Sequence, residues 1–370
     1  MSALNGKKAR IRQELFEDRA FRFGPLVCLL AAAVASCVFG SHWSSVVAPA
    51  PWILSLLVVG LPHGAADLAV ANRLCHGSAT SWLLVSYFAG MAIVFGLLMF
   101  VPLPVIAIFT VLSIWHFGLS HADGQSPPIF LDSHGIHRWP QVAAALARGG
   151  SVLGVPMVAW PNETAAVVER LLRLVGNGSI APAWSNAFSS ATVGLAGVWV
   201  LSISAAAFAA EALAARETPG GLGRSFDTLV DLAVIGLLGV TADPLFSVGL
   251  YFLLWHAWRH MRLLGPVVAD VQPDTAATLG RSLVRIHKAA LPLLVPTWAA
   301  LCASWWFLSE SHSWRDLSLL SLVVYLIVTP SHDVLIDFLR ARTRATQSSM
   351  PDRSAEILES CVAQSPSCSC

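Results

Sequence analysis

Two stretches of this chain, Gly24–Ala66 and Leu74–Ala122, contain no Asp, Glu, Lys or Arg over 43 and 49 residues respectively. A soluble domain carries about one charged residue in four, so runs of this length do not belong on a water-exposed fold. A membrane-crossing helix needs about 20 apolar residues, and each stretch has room for two. The expected fold class is therefore all-α: a polytopic transmembrane helix bundle rather than a soluble unit on an anchor. Of the 370 residues, 55% are hydrophobic and only 12% charged. The near balance of 23 basic and 22 acidic side chains leaves no basic field, so a nucleic-acid partner is excluded.

Hydropathy places about ten spans, near 24–40, 50–71, 81–101, 103–121, 141–160, 188–213, 226–242, 245–264, 289–308 and 317–339. The fifth is the weakest, because Arg148, Gly149 and Gly150 interrupt it. Residues 161–182 read as an amphipathic loop helix. Residues 1–23 form a basic arm with Lys7, Lys8, Arg10, Arg12, Arg19 and Arg22. The apolar run after this arm is long enough to span and lacks a processing site, so it is not a cleavable leader. Ten alternating spans from a cytoplasmic arm put Arg73, Arg138, Arg216, Arg262, Arg281, Arg285 and the Arg340, Arg342, Arg344 cluster inside. Only Arg170, Arg173 and Arg315 fall outside. That asymmetry puts both termini in the cytoplasm and the bundle in the cell's inner membrane. The membrane domain covers 24–340, and the Ser-rich segment 341–370 reads as a disordered cytoplasmic tail. The seven cysteines contain no CxxC and form no disulfide framework.

The chemistry lies in the histidines. Of twelve, five fall inside apolar segments: His63 in GLPHGAAD, His116 in SIWHFG, His256 and His260 in LLWHAWRHM, and His332 in TPSHDVLID. Their four spans all run outside to inside. At about 1.5 Å per residue the imidazoles share one layer, roughly 16–23 Å deep, in the cytoplasmic half. A single intramembrane histidine is most often an interhelical hydrogen bonder. Five at one level, with His256 and His260 on one face at i and i+4, point instead to a metal or haem site. Asp67 stands at i+4 from His63, where it can accept the second ring N–H of a ligating imidazole. His42, His76, His134, His137, His287 and His312 read as loop residues.

Imidazole suits zinc, copper, iron and nickel. No HExxH occurs, which argues against a zinc protease. A bis-histidine haem stays open, as do a quinone-linked electron-transfer protein and a proton-coupled transporter that uses histidines as a relay.

GLPHGAAD, WHFG and WHAWRH, in this order, resemble the signature segments of the Brp/Blh family of integral-membrane β-carotene 15,15′-dioxygenases. The resemblance runs from about residue 50 to 340. It implies an iron(II) centre held by four histidines, which carry over to His63, His116, His256 and His260. It also implies β-carotene and dioxygen as substrates, a microbial rhodopsin as retinal acceptor, and the lipid bilayer as the medium. Catalytic support falls to Asp67 and His332. The family segment near the last helix has Pro followed by His, whereas here Ser331 separates Pro330 from His332. One inserted residue turns the side chain by about 100° on a helix, so His332 is expected to line the cavity rather than bind iron. Trp115, Phe117, Phe252, Trp255 and Trp258 flank these positions and suit an apolar, aromatic-lined tunnel for a polyene.

Overall fold

The computed structural model describes residues 23–66, 69, 78–119, 139–176, 187–217, 221–258 and 276–348. Its regular structure is helical throughout the described residues. The helices are α1 (Phe23–Phe39), α2 (Ser41–Val47), α3 (Pro49–Leu54), α4 (Gly60–Ala65), α5 (Ser78–Phe100), α6 (Pro102–Leu119), α7 (Trp139–Ala159), α8 (Pro161–Val175), α9 (Ser190–Ala215), α10 (Gly221–Thr241), α11 (Pro244–Tyr251), α12 (Ala276–Leu308) and α13 (Trp314–Ser348). Two π-helical segments, Ser55–Val59 and Phe252–Ala257, join α3 to α4 and continue α11.

Among the described residues, six stretches are long and apolar enough to cross a membrane: Ser41–Pro62, Ser81–Phe100, Val142–Ala159, Ser190–Ala215, Gly280–Leu308 and Trp314–Leu335. Phe23–Phe39, Pro102–Gly118 and Pro244–Ala257 are shorter apolar helices beside them. Each expected segment falls wholly or partly on a helix. The boundaries differ at three places. The second segment begins at Ser41 rather than near residue 50, and α12 begins at Ala276 rather than near 289. His42 and His287 therefore sit on helices, not in loops. His287 Nδ1 lies 2.8 Å from the Leu283 carbonyl one turn back. The last helix runs on to Ser348, past the start of the expected tail, and 349–370 lie outside the described residues.

The interruption expected at Arg148, Gly149 and Gly150 does not break α7, which is continuous through them. Helices in lipid gain little from burying apolar surface against one another, so close approach of small residues holds them together. A Cβ at Gly149 would strike the Ile114 carbonyl of α6, and one at Gly118 would strike the Ala145 carbonyl of α7. On the other face, Gly150 meets Ser204 and Gly197 meets Met157 and Val158, which draws α9 against α7. Gly239 does the same for α10 against Val155. Arg148 is satisfied within this interface. Its Nε donates to Asp231 Oδ2 at 2.9 Å and its Nη2 to Thr228 Oγ1 at 2.6 Å, while Thr228 donates to Glu211 at 3.0 Å.

The other half of the bundle is built on aromatics. Trp52 of α3 donates its indole N–H to the Leu245 carbonyl at 2.7 Å and stacks on Phe252 at 5.8 Å. Gly249 of α11 leaves the space its ring fills. The π turn that follows has a local cause. Pro62 has no N–H and its ring disfavours the ordinary i−4 pairing. The chain takes the wider turn upstream, with the Gly60 N–H reaching back to Ser55 O. Such turns inside helices are frequent at functional sites.

Candidate metal centre and substrate cavity

His116 comes from the C-terminal end of α6, His256 from the second π segment, and His332 from the middle of α13. Their rings meet: His116 lies 4.3 Å from His256 and 5.7 Å from His332, centroid to centroid. His256 is 1% exposed and His332 3% exposed. Phe252 stacks on His256 at 5.4 Å and Phe117 packs against it at 5.5 Å, so the imidazole sits in an aromatic box. The Tyr251 hydroxyl donates to the Phe117 carbonyl at 3.1 Å, which ties the π segment to α6 beside His116.

Asp333 also joins this group. Its Oδ1 lies 2.7 Å from His116 Nδ1. Ligand atoms of His116, His332 and Asp333 all fall within 4.8 Å of one another, a spacing that suits one metal ion. Sequence reasoning passed over Asp333. The available signal was a carboxylate directly after His332 in a segment expected to cross the membrane, where ionisable groups are costly and usually functional.

The remaining expected site residues are placed less fully. His63 lies on α4, and its side chain is outside what is described. Its helix neighbours Gly60, Leu61, Gly64 and Ala65 line the same cavity as His116 and His332. Asp67 and His260 lie outside the described residues. The structure thus brings together His116, His256 and His332, and puts the backbone of His63 beside them.

The cavity next to the imidazoles is open on one side, and the roughly 630 Å³ of empty space it outlines includes the open region at its mouth. Phe252, Tyr325, Tyr87, Phe88 and Met91 supply most of its large walls, with Leu293 and Thr297 from α12. Phe88 is half exposed on the outer face of α5, so the cavity reaches the lipid-facing surface there. Gly60 sets its depth. A Cβ there would lie 2.7 Å from the Tyr325 hydroxyl and 2.9 Å from Phe252. The hydroxyls around the cavity are engaged elsewhere. Thr329 and Thr297 each donate to the carbonyl one turn back at 2.7 Å, and Tyr325 pairs with Ser55 at 3.3 Å. The wall therefore offers hydrocarbon surface to an occupant. Of the expected aromatics, Phe252 lines this space, while Trp255 stacks on Tyr251 at 6.0 Å in the core.

The turn of His332 follows from its register on α13. Ser331 points at Gly90 of α5, where a Cβ would lie 2.5 Å from the Ser331 hydroxyl. The next residue faces the imidazole cluster, and Asp333 flanks it on the following position.

Comparison with known proteins gives the same direction. The chain is 27% identical over 347 residues to the probable beta-carotene 15,15'-dioxygenase Blh of Halobacterium salinarum, a match covering 91% of this chain and 96% of that protein. No solved structure matches it. Residues 54–340, which include every site residue named above, match the family profile described as beta-carotene 15,15'-dioxygenase, and the chain belongs to that family.

Proposed function

We propose that this chain splits the central 15,15′ double bond of β-carotene with dioxygen, giving two molecules of all-trans-retinal, at an iron(II) centre held by His63, His116, His256 and His260. The observation that carries this reading is the meeting of three imidazoles from three separate helical elements beside an aromatic-lined cavity open towards lipid. Neutral imidazoles suit a divalent first-row metal, iron among them. Iron(II), when bound, supplies the redox chemistry with dioxygen that no side chain of the protein provides.

The chain's own residues do the rest. Phe252, Tyr325, Tyr87, Phe88 and Met91 face a rigid polyene with apolar surface, and the glycines of α4 leave room for its chain. The engaged hydroxyls of Thr297, Thr329 and Tyr325 keep the wall dry. His332 lines the cavity at the cluster and acts on rate rather than on iron retention. Asp67, four residues after His63 in the sequence, is assigned the role of accepting the ring N–H of that histidine, which would fix its tautomer. A haem reading is weaker. Rings centred 4.3 Å apart leave no gap for a porphyrin plane, since each metal–nitrogen bond alone takes about 2 Å.

The same proposal sets ten spans with both termini in the cytoplasm, in the inner membrane. The excess of Lys and Arg on one side of the apolar segments supports it. A microbial rhodopsin in that bilayer is the acceptor for the retinal. Expression in a β-carotene-producing bacterium tests the reaction. The orange colour should fade as retinal appears. Colour retained at normal protein levels, or two cleavage products of unequal length, would overturn the assignment.

A further inference from the structure

We infer that Asp333 is a positioning residue: it holds His116 as the Nδ1–H tautomer and so presents Nε2 as the nitrogen that binds metal. The inference rests on the iron reading above and adds to it a residue and an atom. Asp333 Oδ1 and His116 Nδ1 stand 2.7 Å apart, the distance of a charge-assisted hydrogen bond in which the ring N–H donates to the carboxylate. A carboxylate in that place fixes which ring nitrogen keeps its proton and raises the basicity of the other. Both partners are mostly withdrawn from solvent, with side chains 14% and 23% exposed, so water competes little for the bond.

The register of α13 explains why one short segment can do this. Successive helix residues are turned by about 100°. Ser331 is therefore spent on contact with Gly90, His332 faces the imidazole group, and Asp333 comes round to Nδ1 of His116. The carboxylate also adds one negative charge beside a dipositive ion that four neutral imidazoles leave uncompensated. In a low-dielectric interior that charge counts for more than it does in water. A direct carboxylate ligand is the competing role, because Asp333 also lies within reach of a shared ion with His116 and His332.

The test uses the full chain in detergent, stripped of metal with a chelator and titrated with Co2+ alone, whose visible ligand-field bands report the ligands bound. Asp333→Asn should bind Co2+ about 10–100-fold more weakly than the unaltered protein, with the bands at unchanged positions. Asp333→Glu should recover part of the affinity, and both variants should melt within a few degrees of the parent when metal-free. Unchanged affinity in Asp333→Asn overturns the positioning role. Shifted bands overturn it too, by showing that the carboxylate is itself a ligand. Unaltered protein that takes up no Co2+ overturns the metal reading together with this one, whereas normal uptake by the parent confines any failure to Asp333.

Discussion

The two halves of this bundle handle buried polar groups in opposite ways. In the α6–α7–α9–α10 half, Arg148, Asp231, Thr228 and Glu211 close on one another within 3.0 Å, and glycines clamp the helices around them. In the α4–α11–α13 half, helices widen into π turns, aromatic rings pack against the glycines at the contacts, and the imidazoles of His256 and His332 meet His116, from the end of α6, at a cavity. Polar groups cost free energy inside a membrane in either case. The first half offsets that cost internally and gains rigidity. The second leaves its polar groups facing a space that another molecule can enter. The difference separates scaffold from chemistry.

Substitutions should respond accordingly. The largest effect is expected at the imidazoles. His116→Ala or His256→Ala should reduce retinal formation to background and lower bound iron, measured by product chromatography and metal analysis, while the protein still inserts and purifies. His332→Ala should keep its iron and lose rate. Iron loss from that variant equal to the other two would make it a ligand and break the division of roles drawn here.

The scaffold half should show the reverse pattern. Arg148→Met leaves the Asp231 carboxylate buried without its cation, a loss of about 3–5 kcal/mol, read by thermal unfolding in detergent. Adding Asp231→Leu should recover much of it, because the pair can be replaced by apolar surface at little cost. Activity per folded molecule should hardly change in either variant. A selective loss of turnover would show that the two halves are coupled after all.

Smaller effects sharpen the picture. Tyr325→Phe removes the hydroxyl that meets Ser55 at 3.3 Å and should cost about 0.5–1.5 kcal/mol. Retinal yield should stay near normal, since the apolar ring remains in the cavity wall. The smallest change is expected at Asp243, which caps α11 by accepting from the Leu245 N–H at 2.8 Å. Burial pushes its carboxyl above the usual range, the neighbouring Arg315 and the cap bonds offsetting only part of that. A carboxyl raised on folding contributes stability below its unfolded pKa and loses it as pH rises through the folded one. Asp243→Asn keeps the cap and should gain on the parent with rising pH, the two melting curves converging in acid.

Much of this was readable from the chain alone, and the reasons are specific. Charge-free runs force membrane helices. A shared depth along three apolar segments brings His116, His256 and His332 to one level, whatever the details of packing. The role of Gly149 was not readable, because it depends on the Ile114 carbonyl of a different helix. Arg148 looked like an interruption for the same reason, its partners Asp231 and Thr228 lying on α10. The π turn ahead of α4 has only Pro62 as a local sign. Asp333 was within reach: it is a carboxylate directly after His332 in an apolar segment, and only Asp67, four residues after His63, was singled out. Finding its partner required the rotation of α13 against α6.

The central claim is that the imidazole cluster is a non-haem iron centre serving carotenoid cleavage. Detergent-purified protein should contain about one iron per chain, show no Soret band, and release retinal from β-carotene in micelles. Chelation should abolish retinal release and added Fe2+ should restore it. Full activity after iron is removed, or activity that tracks a haem spectrum, would contradict the account.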